Sequence, residues 1–153
     1  MPLTPDLCCV RSVTTFGFTY GKLDGAEQSS YMLLLERCDC DLGSLIYPKA
    51  GSEEEGQLSA PLMMKIATEM ADGLAYLHSR GIKHLDMKPG NVLMVREAVG
   101  EEGWGVRIAD FGMDADRDED EAAVFGTWEY MAPECLDRKY GRPAFASDVF
   151  SVG

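Results

Sequence analysis

The chain has 153 residues, of which 46% are hydrophobic and 26% are charged, and its formal net charge at pH 7 is −12. This length and composition predict one folded domain with a substantial apolar core and exclude general disorder. Only 14 Lys and Arg are set against 26 Asp and Glu, and nucleic-acid binding requires a basic surface, so we expect no DNA or RNA partner.

The N-terminal region carries no sign of export or membrane insertion. It lacks the basic start and long apolar run of a secretion signal, and nowhere do about eighteen apolar residues follow one another. The five cysteines, among them the pair Cys8-Cys9, show neither zinc-ligand spacing nor a disulfide framework. We therefore expect a cytoplasmic protein with reduced thiols and no membrane partner.

The first predicted elements are two strands and a short helix. Residues 8–20 are rich in β-branched and aromatic side chains, and residues 31–35 form a continuous apolar run of strand length. The polar segment between them favours a hairpin. After a break at residues 36–40, Asp41 is suited to cap a short helix that reaches residue 46.

A long amphipathic helix is predicted next. Ser59 is suited to its N-cap, and Gly81 is suited to the left-handed residue that ends it. Its apolar face follows helical spacing through Leu62, Ile66, Met70, Leu74 and Leu77. We expect the neighbouring Met63 and Met64 to be core residues as well, and His78 to lie on the surface near the negative end of the helix.

The residues that carry chemistry follow this helix. The segment from His84 to Asn91 combines a carboxylate, a lysine and an amide, and Asp110 opens an Asp-Phe-Gly turn downstream. Residues 92–95 and 106–109 predict two strands of one ribbon, which would bring Asn91 and Asp110 to the same end. Carboxylate and amide oxygens gathered there suit a metal ion bound to phosphate.

Four motifs occur in the order in which eukaryotic protein kinases carry them. They are His84-Leu85-Asp86-x-Lys88-x-x-Asn91, Asp110-Phe111-Gly112, Ala132-Pro133-Glu134, and Asp148-Val149-Phe150-Ser151-Val152-Gly153, whose helix Ser147 is suited to cap. The chain resembles that family over essentially its whole length. The resemblance implies an α+β, protein-kinase-like fold with a mostly helical lower lobe and a short β-hairpin remnant of the upper-lobe sheet.

The resemblance also implies a division of the chain and a function. Residues 1–35 would supply upper-lobe strands, residues 36–40 the hinge, and residues 41–153 a lower lobe truncated at its central helix. The implied activity is that of a protein serine/threonine kinase, which uses ATP and Mg²⁺ to phosphorylate hydroxyl groups of a protein substrate. A lysine two residues after the catalytic aspartate resembles the Ser/Thr branch rather than tyrosine kinases. The oligomeric state is left open.

The family's roles transfer onto individual positions. Asp86 resembles the catalytic base, Lys88 the residue beside the transferred phosphate, and Thr127 the residue that ties the peptide-binding loop to both. Asn91 and Asp110 resemble the magnesium ligands, and with Lys88 they would contact the bound nucleotide. The remaining nucleotide contacts would fall at Glu36 and Cys38, where the family's hinge offers backbone groups to adenine, and at Leu35, which resembles the residue that guards the pocket behind the hinge.

Three further positions have structural roles in the family. The resemblance implies that His84 is a packed core histidine and that Asp148 clamps the backbone of the catalytic loop. Glu134 resembles a glutamate whose arginine partner lies beyond residue 153, so we expect it to lack that partner here.

The sequence departs from the family pattern at two places. Leu85 replaces an arginine that commonly pairs with a phosphorylated activation segment, and residues 114–121 contain no Ser, Thr or Tyr. Nothing before Tyr31 resembles the glycine-rich loop, the Val-Ala-x-Lys strand or the helix glutamate. We therefore expect the chain alone to transfer phosphate slowly or not at all.

Two alternatives accompany the kinase interpretation. A non-catalytic kinase-like binding module, or pseudokinase fragment, is compatible with the missing upper-lobe motifs. Small-molecule phosphotransferases have a similar aspartate-to-asparagine loop, but the Gly126-Thr127 and Ala132-Pro133-Glu134 segments resemble machinery for protein substrates and disfavour that class.

Overall fold

The computed structural model describes residues 11–22, 25, 28–51, 58–97, 103–111 and 126–153. Within these ranges two small sheets and several helices form the α+β fold that the sequence predicts. The strands are β1 (Thr15–Gly21), β2 (Ser30–Leu35), β3 (Cys40–Asp41), β4 (Val92–Arg96) and β5 (Trp104–Ile108). The α-helices are α1 (Leu42–Ile46), α2 (Ala60–Ser79), α3 (Pro133–Leu136) and α4 (Phe145–Val152), and short 3-10 turns cover Pro89–Asn91, Trp128–Tyr130 and Arg138–Tyr140.

Strands β1 and β2 form the predicted antiparallel hairpin. Phe18 pairs with Leu33 and Tyr20 with Tyr31, so large apolar side chains lie opposite one another. The strand begins at Thr15 rather than at residue 8, and residues 8–10 lie outside the described part of the chain. Most of the hairpin's large side chains are exposed, namely Phe16, Phe18, Tyr20, Tyr31, Leu33, Leu34 and Leu35.

The second sheet has the strand order β3-β4-β5 and lies in the core. The predicted ribbon of β4 and β5 is confirmed, with Val92 opposite Ile108 and Arg96 opposite Trp104. Strand β3 was not predicted, because a strand of two residues has no sequence periodicity. It pairs with β4 through Cys40 and Met94.

Helix α2 covers this sheet and begins and ends as predicted. The Ser59 hydroxyl accepts the Leu62 amide at 3.2 Å, and Gly81 adopts φ 75° just after the helix. A Cβ added to Gly73 would lie 2.6 Å from the Cδ1 of Ile108, so the absence of a side chain at Gly73 allows α2 to approach β5 closely. Helix α1 likewise has its predicted cap, Asp41.

Two expectations about helical residues are wrong. Met63 and Met64 are 48% and 69% exposed, because each successive residue of a helix turns about 100° away from the apolar face at Leu62. Ser147 does not cap α4, which has Ala144 at its N-cap position. Ser147 lies inside the first turn, and its hydroxyl accepts the Ala144 amide at 2.9 Å.

The three described cysteines, Cys38, Cys40 and Cys135, are half-buried reduced thiols, as predicted, and Cys8 and Cys9 lie outside the described residues. Among the helices in the described ranges, none is long and apolar enough to cross a membrane.

A charged cluster joins the N-terminal segment to α2 and β5. Glu69, which is only 5% exposed, binds Arg11 at 2.7 Å and accepts the Val106 amide at 2.8 Å. Lys65 lies between Glu69 and Glu97 and also donates to the carbonyl of Trp104. Because a buried carboxylate needs partners, Glu69 fixes the edge of β5 against α2.

Replacing Glu69 with Ala tests this arrangement. We expect Glu69→Ala to lower the free energy of unfolding by about 2–4 kcal/mol, because the Val106 amide and Arg11 lose their buried acceptor. Glu69→Gln keeps an oxygen for the Val106 amide and should cost clearly less. Urea denaturation followed by tryptophan fluorescence measures both, and equal losses in the two variants would contradict the assignment.

Candidate active site

The loop from His84 to Asn91 connects α2 to β4 and begins at a buried histidine. His84 is 0% exposed, and its Nε2 lies 2.9 Å from the carbonyl oxygen of Ala109. Its Nδ1 accepts the amide of Asp86 at 3.3 Å, so the proton of the neutral ring belongs on Nε2, which donates to Ala109. The expectation of a packed core histidine is confirmed.

Asp148 of α4 holds the backbone of this loop, as predicted. Its carboxylate, which is 0% exposed, accepts the His84 amide at 2.9 Å and the Leu85 amide at 2.7 Å. Leu85 adopts φ 60°, which non-glycine residues rarely adopt. The same carboxylate lies 2.8 Å from the Nε2 of His78, so the prediction of a surface role for His78 is wrong.

Four of the predicted site residues form one hydrogen-bonded cluster around Asp86. Asp86 Oδ1 accepts the amide of Thr127 at 3.0 Å and its hydroxyl at 3.1 Å. Asp86 Oδ2 lies 2.8 Å from Lys88 Nζ and 3.0 Å from Asn91 Nδ2. Lys88 also donates to the Thr127 hydroxyl at 2.8 Å, so the lysine bridges the aspartate and the threonine. We refer to Asp86, Lys88, Asn91 and Thr127 as the Asp86 cluster.

The cluster keeps Asp86 ionised. Burial raises the pKa of Asp86, but the hydrogen bond and charge of Lys88, together with hydrogen bonds from Thr127 and Asn91, outweigh burial and lower the pKa below its ordinary value. An ionised carboxylate is purely a hydrogen-bond acceptor. Asp86 can therefore accept a hydrogen bond from the hydroxyl group of a substrate.

Asn91 and Asp110 are brought together through the backbone. The carbonyl of Asn91 accepts the amide of Ala109 at 2.9 Å, and Asp110 follows directly in a left-handed conformation at φ 57°. The side-chain amide nitrogen of Asn91 faces Asp86. The Oδ1 of Asn91 therefore points away from the Asp86 carboxylate. One amide oxygen and one exposed carboxylate are hard oxygen donors, so the donor chemistry of this end of the ribbon fits Mg²⁺.

The remaining predicted nucleotide-contact residues, Leu35, Glu36 and Cys38, lie at and just after the end of β2. Leu35 ends β2 and is 40% exposed. The Glu36 carboxylate accepts the Thr14 amide at 2.9 Å and pairs with Arg107 of β5 at 3.2 Å. Burial is the largest cause that raises the pKa of the Cys38 thiol, and the charge of Glu36 raises it further. The guanidinium of Arg107 lowers this pKa by less. In the described part of the chain, the hydrogen bonds and ion pairs of these residues do not reach the cluster.

Glu134 has a partner that the sequence did not indicate. The Ser147 hydroxyl donates to its Oε1 at 2.6 Å, and this hydrogen bond lowers the pKa of Glu134. Contacts such as those of His78 and Arg107 were also missed, because each joins residues far apart in the sequence. Only Glu69 could have been recognised from a local pattern, because it is a charged residue at a position of α2 that the helical spacing assigns to the apolar face.

Comparisons with known proteins agree with this geometry. The family model described as "Protein kinase domain" matches residues 13–153. The chain is 35% identical over 136 residues to the MAP kinase kinase MKK1/SSP32 of Saccharomyces cerevisiae. This match covers 88% of the chain and 25% of the yeast protein. It is 32% identical over 153 residues to the serine/threonine-protein kinase/endoribonuclease IRE1 of Oryza sativa subsp. japonica, covering 86% of this chain and 16% of the relative.

A mammalian relative extends the same pattern. The chain is 32% identical over 145 residues to the inhibitor of nuclear factor kappa-B kinase subunit epsilon of Mus musculus, and this match covers 89% of the chain and 19% of the mouse protein. The chain therefore spans a quarter or less of the length of each of these three relatives.

Removing the charge of Lys88 should raise the pKa of Asp86. Lys88→Met keeps much of the side-chain volume but removes the ion pair and hydrogen bond that lower this pKa, so less then opposes the effect of burial. Carbon-13 NMR titration of the Asp86 carboxyl group measures the change. The exposed pair Lys139–Asp137 supplies the control, because Lys139→Met should leave Asp86 unchanged.

The same titration has a consequence for stability. A carboxyl group whose pKa is lowered on folding stabilises the folded state above its unfolded pKa, and this contribution is lost as pH falls through the folded pKa. Lys88→Met should therefore reduce the part of the acid-induced loss of stability that comes from Asp86. A titration curve of Asp86 identical to that of the parent protein would contradict the assigned cause.

Proposed function

Because the chain belongs to the eukaryotic protein kinase family and is of the Ser/Thr type, we propose that it acts in transferring the γ-phosphate of ATP to a protein hydroxyl. The observation that carries this proposal is the Asp86 cluster, in which an ionised carboxylate, a lysine and a threonine are held within hydrogen-bond distance of one another. Residues 36–40 then form the hinge between the β1–β2 hairpin and a lower lobe from residue 41 onward.

Each member of the cluster has a part in the proposed transfer. The substrate hydroxyl donates to Asp86, which orients the oxygen in line with the γ-phosphorus and takes its proton as the new O–P bond forms. The bond from the γ-phosphorus to the bridging oxygen breaks, and ADP leaves. Lys88 supplies positive charge to the phosphoryl oxygens, and Thr127 holds Asp86 in position.

The metal and the nucleotide are assigned to the remaining predicted residues. Asn91 Oδ1 and the Asp110 carboxylate would hold Mg²⁺, which supplies charge neutralisation for the phosphates when bound. Leu35, Glu36 and Cys38 would contact the adenine side of ATP. The support for this part is the oxygen-donor chemistry of the β4–β5 end and the position of the hinge after β2.

The polypeptide 1–153 alone should transfer phosphate slowly or not at all. Its sequence contains no match to the glycine-rich loop, the strand lysine or the helix glutamate, and phosphoryl transfer depends almost wholly on positioning and charge stabilisation. The same feature favours a second candidate function, a non-catalytic kinase-like module that binds protein partners. Its surface would include the 73% exposed Trp128, which lies beside Thr127.

A thermal shift with Mg·ATP tests the proposed site independently of turnover. Binding to the folded state should raise the melting temperature, since ligand at about 100 times its Kd adds about 2.7 kcal/mol of stability. Asp110→Ala should abolish most of this shift, because the metal loses its carboxylate. Asp72→Ala is the matched control, since Asp72 is exposed on α2.

The outcomes separate the two candidate functions. A shift in the parent and in Asp72→Ala, but not in Asp110→Ala, supports the metal-nucleotide site. The absence of any shift in the folded parent protein at millimolar Mg·ATP would contradict nucleotide binding and favour the binding module.

Activity should not require phosphorylation of the segment from residue 113 to residue 130. Residues 113–125 contain no Ser, Thr or Tyr, and Leu85 cannot pair with a phosphate as an arginine does. Phosphoryl transfer measured before and after phosphatase treatment should be unchanged, with Asp86→Asn as the inactive reference. A requirement for phosphate on Thr127 or Tyr130, located by mass spectrometry, would contradict this prediction.

A further inference from the structure

One face of the β1–β2 hairpin carries large apolar and aromatic side chains that point away from the core. Phe18 pairs with Leu33 and Tyr20 pairs with Tyr31, and residues that lie opposite each other in a sheet share a face. These four side chains, which we call the hairpin face, are 62–79% exposed. Because the Tyr20 and Tyr31 rings stand only 4.8 Å apart, the face is a continuous surface rather than a set of scattered side chains.

The described part of the chain supplies no second layer for this face. Among the described residues, β1 and β2 pair only with each other and form a separate two-stranded sheet. A two-stranded sheet is at best marginally stable unless one of its faces packs against another element. Phe16 and Leu35, which are 70% and 40% exposed, extend the apolar surface at the end nearest residues 36–40. The hairpin would therefore gain stability from any layer that covers this surface.

The exposed area has the size of a protein interface. A fully buried aromatic side chain removes about 150–250 Å² from water, so the four rings and two leucines present on the order of 700 Å² at these exposures. A standard interface buries about 800 Å² on each partner, and soluble monomers rarely expose an apolar patch of more than a few hundred Å². The surface is therefore large enough for a stable complex with another polypeptide.

The absence of charge on the hairpin indicates which polypeptide fits it. The chain has a net charge of −12, so two copies repel each other over most of their surface. Residues 12–21 and 28–35, however, contain no Asp, Glu, Lys or Arg. Contact between two hairpins brings no like charges together, whereas a basic partner would find no carboxylate on these strands to pair with. A second copy of this chain is therefore the partner that the surface fits best.

We propose that the hairpin face is a self-association surface, on which a second copy of the chain packs its own hairpin face about a two-fold axis. The two sheets then stack about 10 Å apart and form a two-layer sandwich of four strands. The rings of both copies are buried in one step, and the removal of their apolar surface from water drives association. This inference depends neither on nucleotide binding nor on phosphoryl transfer.

Charged substitutions at Leu33 test the surface directly. Leu33→Glu and Leu33→Lys each place like charges on the two facing sheets, so each should weaken self-association about tenfold or more. An equimolar mixture of the two variants should associate again, because opposite charges then face each other. Sedimentation velocity at several chain concentrations measures the parent, each variant and the mixture.

Met64 supplies the matched controls. It is 69% exposed on α2, as Leu33 is on β2, and the same two substitutions there change the net charge by the same amounts. Met64→Glu and Met64→Lys should therefore associate as the parent does. Far-UV circular dichroism confirms that each variant is folded before its association is compared.

Amide hydrogen exchange followed by NMR supplies a readout that needs no substitution. In the parent, the Phe18 and Leu33 amides should exchange more slowly as the chain concentration rises, because association stabilises the hairpin against local opening. The Val106 amide, which bonds the buried Glu69 carboxylate, is the internal reference and should exchange at the same rate at every concentration.

Four results would overturn the proposal. They are a parent that stays monomeric up to its solubility limit, a dimer that the Leu33 variants leave intact, folded Leu33 variants whose mixture does not associate, and hairpin exchange rates that are independent of concentration. A monomer with slowly exchanging hairpin amides would show that the same chain covers the face, and one with rapidly exchanging amides would leave the face to another protein. The Mg·ATP shift of the parent reports on the nucleotide site separately.

Discussion

A fully buried carboxylate, Asp148, is the interaction on which the site depends. An ionised group removed from water must find hydrogen-bond donors, and here the donors come from α2 and from the loop that follows it. Segments that are distant in the sequence therefore meet at one point. Because the requirement for donors is local and strong, the backbone at Leu85 is held in a conformation that its own side chain disfavours.

The Asp86 cluster has a different electrostatic character from Asp148. It is partly exposed, and its aspartate balances a desolvation penalty against a lysine, a threonine and an asparagine. Lys88 binds Asp86 and Thr127 at the same 2.8 Å distance, so its ammonium group fixes the relative position of two segments as well as lowering a pKa. The buried Asp148 thus fixes the turn at Leu85, and the partly exposed Asp86 stays ionised and able to face solvent or a ligand.

Local patterns in the sequence were sufficient for much of the fold but not for the whole site. The caps at Asp41 and Ser59, the end of α2 at Gly81 and the β4–β5 ribbon each depend on neighbours within a few residues, and all are confirmed. The roles of Asp148 and of the members of the Asp86 cluster were predicted from the resemblance to a known family instead.

The errors have physical causes of the same kind. Met63 and Met64 were assigned to the core by residue type, although the helical turn places them outside the apolar face. Ser147 was assigned as a cap by residue type, but the chain turns into α4 three residues earlier. His78 was misplaced because its partner is 70 residues away, and no periodicity reports a contact across that distance.

Strand β5 connects the two ends of the proposed nucleotide site. Arg107 near its end binds the carboxylate of Glu36, in the proposed hinge, and Asp110 follows three residues later. The strand is held on one side by β4 and on the other by residues 11–13, whose backbone bonds Ile108 at 2.6 and 2.9 Å. Since Glu69 also fixes its Val106 amide, β5 has little freedom to shift. The spacing between the proposed hinge and the proposed metal ligand Asp110 therefore depends on this one strand rather than on two independent loops.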